Sequence, residues 1–196
     1  MKKRDVAIGA LATAVALVAA APARSSVIVF LDRAEWEAAV GKLTTIDFTG
    51  FDEGTFITDQ YADLGIIFSD GNDSIYASSA FVNDGWGLDG NGDIVLAFDQ
   101  PQAWIGFDYP GFLEVELYSD GELFFESDSF GGGVGNFLGL LSTEPFDAAV
   151  LIDFIGEAAI DDLHFGVPAP GSICLLSLAA IHRTRRRCSQ SNSRLR

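Results

Sequence analysis

A chain of 196 residues with 28 acidic, 12 basic and two cysteine residues has room for one ordinary domain plus terminal segments. Between residues 24 and 166 there are 27 acids against only Arg24, Arg33 and Lys42, a net charge of −24. Such a segment excludes nucleic acid as a partner, because phosphates need lysine and arginine to neutralise them. It also repels anionic membranes, while suiting solubility and divalent cations. Both cysteines, Cys174 and Cys188, stand outside it, so no disulfide framework staples it.

The N-terminus opens with Lys2, Lys3 and Arg4, continues with an apolar run from Val6 to Ala21, and ends in Ala21-Pro22-Ala23. A basic n-region, an apolar h-region and an A-x-A site read as a secretory signal over 1–23, with Ala21 and Ala23 as the two alanines of the cleavage site. The run of roughly 16 residues is shorter than the roughly 20 that a membrane-spanning helix needs.

The domain proper is predicted over 24–166. Val27 to Leu31 reads as a first strand. Asp32 then caps a short helix from Arg33 to Val40, stopped by Gly41 and given a partly apolar surface by Ala34, Trp36, Ala39 and Val40. Beyond it the period changes from helix to strand. Thr45–Thr49 and Gly65–Ser69 alternate, Ile94–Phe98 is a compact apolar run, and Ala103–Tyr109 follows the Gln100-Pro101 turn signal. Leu113–Tyr118 and Glu122–Glu126 flank Asp120-Gly121, a hairpin signal. In the first of these, Leu113, Val115 and Leu117 share one face and Glu114 and Glu116 the other. The last strands are Ala148–Phe154 and Ala158–Phe165, separated by Gly156. Gly131–Gly133 reads as a linker-like loop. About eight to ten short strands with Gly/Asp turns predict an all-β antiparallel sandwich, jelly-roll-like, with a barrel as the alternative. The apolar residues at strand spacing argue against disorder despite the acidity.

Residues 167–196 form a separate tail. Val167-Pro168-Ala169-Pro170-Gly171 stops the last strand, an apolar run follows from Ile173 to Ile181, and Arg183, Arg185, Arg186 and Arg187 close it. The order of these parts resembles the PEP-CTERM sorting signal of exported Gram-negative proteins. That resemblance implies an exosortase-type processing enzyme as partner, transient membrane contact through the termini, and delivery to the outer cell surface or extracellular matrix. The tail departs from the pattern with Ala169 where glutamate is usual, and its apolar run is too short to span a bilayer as a helix. The domain resembles the β-sandwiches that such proteins often carry. Ile46-Asp47-Phe48, Gly65-Ile66-Ile67-Phe68, Ile105-Gly106-Phe107-Asp108 and Ile160-Asp161-Asp162-Leu163-His164-Phe165 carry the likeness. It implies a jelly roll similar to carbohydrate-binding modules.

Three groups of residues are candidates for chemistry. Alternation along the last strand puts Asp161 on the face of Leu163 and Phe165, and Ile160, Asp162 and His164 on the other. A buried carboxylate needs a partner, and bases are scarce. The resemblance implies a structural calcium tying the last strand to the first ones, and Asp47, Asp52 and Glu53 could supply hard oxygen ligands beside Asp161. The alternative is an aspartate bonded to backbone N–H groups. Asp89, Asn91 and Asp93 have the oxygen spacing of a calcium loop, although Ile94 and Gln100 stand where an EF-hand needs glycine and glutamate. The alternative is a plain glycine-rich turn. Trp86, Tyr76 and Tyr109 could each stack on a sugar ring or cap the core, whereas Trp104, inside an apolar strand, belongs to the core.

No catalytic residue is predicted. The domain lacks a cysteine, a histidine cluster, a Gly-x-Ser-x-Gly elbow and a phosphate loop, and His164 reads as an ordinary strand residue. The expected function is a non-catalytic polysaccharide-binding module. The alternatives are a structural matrix protein without a discrete ligand and a small glycoside hydrolase.

Overall fold

A computed structural model describes residues 25–69, 74–80, 85–131, 135–152 and 158–167. The expected signal, with Ala21 and Ala23, lies outside the described residues, as do Pro168, Pro170, Gly171 and the arginines of the tail. Val167 is the last described residue and is 50 % exposed. Among the described residues no helix is long and apolar enough to cross a membrane.

The elements in chain order are β1 (Val27–Phe30), α1 (Arg33–Ala39), β2 (Thr44–Ile46), β3 (Ile66–Ser69), β4 (Ile75–Ser78), β5 (Gly87–Gly90), β6 (Ile94–Tyr109), β7 (Glu114–Ser119), β8 (Glu122–Glu126), β9 (Asn136–Ile152) and β10 (Ala158–Gly166). Every pairing between them is antiparallel. The protein is therefore all-β and jelly-roll-like, as expected.

Two long strands organise it. Ile94–Ala97 of β6 pairs with Ala148–Leu151 of β9, and Trp104–Tyr109 pairs with Asn136–Leu141. Between these stretches the register shifts. Pro101 and Pro145 fall there, each without the N–H a regular ladder needs. Both strands thus pass from one layer to the other. One layer runs β8-β7-β9-β6-β3 and the second β1-β9-β6-β10-β2, with β5 and β4 continuing beside the start of β10. Ile66, Phe68, Leu96 and Leu117 of the first share one core with Ile46, Ile105, Leu163 and Phe165 of the second. Phe98 fills the bend, with ring centroids 5.9 Å from Phe146 and 5.2 Å from Phe165.

Several expectations need correction. Ile94–Phe98 and Ala103–Tyr109 are one bent strand, because Pro101 sits at a sheet corner instead of a chain reversal. The final strand pair begins much earlier than Ala148, since β9 starts at Asn136. The sequence suggested a loop around Asp89-Gly90, but both residues belong to β5. β2 ends at Ile46 because Phe48 turns to a φ of 54°. The hairpin at Asp120 and Gly121 forms as read, with φ values of 52° and 81°.

α1 matches its sequence signals. The Asp32 side chain accepts the Glu35 N–H at 2.9 Å, and the helix stops at Val40. Its one buried residue, Trp36, lies on the outer face of the second layer, in a cluster with Ala103, Trp104, Phe137 and Leu141. Gly106 and Gly139 face each other in the ladder beneath it. A Cβ at Gly139 would fall 2.5 Å from the indole and one at Gly106 2.9 Å, so only glycines admit the ring. Its Nε1 donates to the Leu140 carbonyl at 3.3 Å. Burying roughly 200 Å² of indole at about 25 cal/mol per Å² contributes about 5 kcal/mol. That contribution seats the helix on the sheet.

Candidate functional site

The outer face of the second layer is set by an irregularity in β10. Ala158 and Ile160 point into the core, and so do Leu163 and Phe165. An uninterrupted strand could not do this, because 160 and 163 differ by an odd number. The register against β6 shifts between Asp161 and His164, and Asp162 takes a φ of 46°. The bulge inserts one residue, so Ile160 and not Asp161 shares the core face with Leu163. Asp161 stands opposite Asp108 in the ladder and shares its outer face. The expectation that it lies at the edge of the core face is overturned for this reason, although it is only 2 % exposed.

Arg33 answers this concentration of carboxylates. From the first turn of α1 its Nη2 reaches Asp108 Oδ2 at 2.6 Å and Asp162 Oδ2 at 3.7 Å. The guanidinium lies over the Phe137 ring, 4.8 Å from its centroid, and Nη1 contacts His164 Nε2. A guanidinium only donates, so Nε2 accepts and the imidazole is neutral. The proton then sits on Nδ1, which donates to Thr45 Oγ1 at 2.9 Å. Burial, and next the Arg33 charge, lower the His164 pKa. In this tautomer His164 cannot take a proton from Thr45, so the pair is no activated nucleophile. The sequence offered one signal for this network: Arg33 is one of three bases among 27 acids between residues 24 and 166. Its partners, up to 131 positions away, carried none.

A groove opens beside the network, with a cavity volume of about 390 Å³. Asp32, Arg33, Asp108, Asn136 and Phe137 line it, with Leu31, Tyr109, Gly131 and Gly135 completing the wall.

The other end of this face carries the expected aromatic residues. Tyr76 of β4 is paired in the ladder with Asp89 of β5 on one side and with Phe56 on the other. Ile75 and Ala77 enter the core, so Tyr76 faces outward, half-buried. Its hydroxyl donates to Asp89 Oδ2 at 3.2 Å. Asp89 is 3 % exposed and Phe56 is 59 % exposed. Phe56 was not singled out from the sequence, because it sits in a single isolated bridge outside any alternating run. Trp86 is half-buried and packs on the core just ahead of β5. Tyr109, expected to offer a ring for stacking, is corrected: at 3 % exposure it belongs to the core, and burial raises its pKa. Trp104 is 3 % exposed, as expected of a core residue.

The acidic residues read as calcium ligands are placed as follows. Asp47 Oδ1 accepts the Thr49 N–H at 3.2 Å and the Thr49 hydroxyl at 2.9 Å. Glu53 accepts the Ser79 N–H and hydroxyl, both at 2.9 Å, and these bonds lower its pKa. Asp52 is exposed and its carbonyl accepts the Thr55 N–H. Asp161 Oδ1 accepts the Asp162 N–H at 2.7 Å. Asn91 and Asp93 are exposed in the turn after β5, while Asp89 is turned to Tyr76. Among the described residues no three His, Cys, Asp or Glu side chains gather around a common point.

No protein-family model matches the chain, and no curated protein matches it. Among solved structures it is similar to variants of CBM29-2, a family 29 carbohydrate-binding module. Two of them align at a TM-score of 0.42, with 16 and 15 % identity, over 65 % of this chain and 94 % of theirs. Another, complexed with mannohexaose, aligns at a TM-score of 0.39 and 13 % identity over 74 % of this chain and 94 % of its own.

Proposed function

We propose that the chain is an exported cell-surface or extracellular-matrix protein whose domain is a non-catalytic binding module for polysaccharide. The observation that carries this reading is the row Phe56, Tyr76 and Asp89 on the outer face. Aromatic faces stack on the apolar C–H faces of sugar rings. Beside Phe56 the Tyr76 phenol, held by the buried Asp89 carboxylate, is fixed where its oxygen can accept a hydrogen bond from a sugar hydroxyl. The acidic surroundings favour an uncharged polymer over an anionic one. Export rests on the N-terminal signal and on the tail that resembles an exosortase substrate.

The test is affinity electrophoresis of the exported protein through gels containing β-glucan, mannan, xylan, galactan or dextran, each with Ca²⁺ and with chelator. At least one polymer is expected to retard the protein, and Tyr76→Ala to abolish that retardation. Loss with chelator would bring the acidic turns at Asp47 to Glu53 and Asp89 to Asp93 back as calcium sites. Migration unaffected by every polymer would sink the binding reading and leave a structural matrix role. For export, mass spectrometry of the secreted form is expected to find an N-terminus at Arg24. Deleting 167–196 is expected to remove the protein from the cell surface.

A further inference from the structure

We infer that the groove beside Arg33 is a second sugar subsite, so that the outer face binds an oligosaccharide chain of neutral units. The inference rests on the polysaccharide-binding reading and extends it to residues outside the aromatic row.

Continuity of the ladder is the first argument. Phe137, Asp108 and Asp161 are register partners across β9, β6 and β10. Two residues along β10, Ala159 is the partner of Asp89, which leads to Tyr76 and Phe56. Ala159 and Asp161 alternate with the core residues Ala158 and Ile160, so both rows lie on one face. Four ladder steps separate Asp108 from Phe56, roughly 19 Å at about 4.8 Å each. That span exceeds a single sugar ring severalfold. A ligand held only at Tyr76 and Phe56 would use one end of it.

The chemistry of the groove is the second argument. Its volume of about 390 Å³ lies in the range of small-molecule sites, about 300–1,000 Å³. The lining carries both kinds of group: the Arg33 guanidinium and the Asn136 amide are donor types, while the Asp32 and Asp108 carboxylates and the Asn136 side-chain oxygen are acceptor types. Arg33 is held before any ligand arrives, by Asp108 at 2.6 Å, by His164 and by the Phe137 ring. Fixed polar groups lose little freedom on binding, which favours affinity. Two carboxylates and one guanidinium leave the wall net negative, as is the whole domain. An uncharged polyhydroxyl unit fits that wall, and a uronate or sulfated sugar does not.

The test compares fragments of two and six units, prepared from the polymer that retards the protein most, by titration calorimetry on the whole exported protein. Alginate serves as the anionic control. The six-unit fragment is expected to bind at least about tenfold more tightly than the two-unit fragment, and alginate not at all. Asn136→Ala removes one uncharged hydrogen-bonding group from the groove. Asp32→Ser removes a carboxylate while keeping a helix-capping hydroxyl. Each is expected to weaken the six-unit fragment about five- to tenfold and to leave the two-unit fragment unchanged. Equal affinity for both lengths, or six-unit binding unaffected in both variants, overturns the subsite while the polysaccharide reading stands. A protein that binds no polymer at all removes both.

Discussion

The two ends of the outer face follow the same ladder and alternation, yet they finish differently. Under α1 the sheet gives up its own side chains. Gly106 and Gly139 leave a slot into which Trp36 drops, and Gly41 and Gly166 crowd Trp104 in the same way. Around β4 and β5 no helix covers the sheet among the described residues, and Phe56 stands exposed beside Tyr76 and Asp89. A sheet face can be completed by the protein's own helix or left to meet something else. The first choice should register in stability and the second in binding.

The sharpest way to break that comparison is to empty the slot. Trp36→Ala removes the one fully buried side chain of α1 and leaves a cavity above two glycines. Urea denaturation should show a loss of about 3–5 kcal/mol. Gly139→Ala attacks the same contact from below, with a methyl placed 2.5 Å from the indole, and should cost about 1–3 kcal/mol. If both changes proved nearly silent, α1 would not be a structural cover and the contrast between the two ends would collapse.

A smaller effect tests the polar side of the covered end. His164 is folded in its neutral form, with its pKa lowered by burial and by Arg33. The unfolded chain therefore takes up the proton first as pH falls below about 6.5. The stability contributed here is complete above that pH and drains away as pH falls through the lowered folded value. The slope from this one group is at most about 1.4 kcal/mol per pH unit. His164→Gln should flatten stability measured between pH 7 and pH 5 relative to the unaltered protein. Parallel curves would mean that the fold does not hold the imidazole neutral.

Much of the fold was legible because it rests on local signals. Asp32 and Gly41 mark the ends of α1, Asp120-Gly121 marks the hairpin, and the alternation of Leu113, Val115 and Leu117 marks the buried face of β7. The candidate site was harder, for two physical reasons. A period-two reading assumes an unbroken ladder, and a single inserted residue at Asp162 reverses the face of everything before it. That bulge moved Asp161 from the core face to the outer one. The second reason is distance along the chain. Arg33 meets His164 across 131 positions, and Phe56 meets Tyr76 through one isolated bridge. Neither contact has a periodic trace. Tyr76 was readable as an exposed aromatic, but Tyr109 looked the same in sequence. Only the neighbouring core residues Phe107 and Ile105 reveal that its position alternates inward.

The smallest expected effect on stability belongs to the open end, and it separates the two ends most cleanly. Phe56 is 59 % exposed, and the chain beside it is held by backbone bonds from Ile57 to Ile75 and from Ala77 to Thr55. Phe56→Ser leaves those bonds intact and removes a ring that the core does not use. Its unfolding free energy should stay within about 0.5 kcal/mol of the original, as for surface changes generally. Retardation in a polysaccharide gel should nevertheless fall, because the ring supplies the exposed stacking face of the row. A variant that keeps both stability and retardation would show that the open end is merely unfinished surface. A variant that loses retardation alone would show that the Phe56 ring serves recognition and not stability, as the Trp36 ring serves stability.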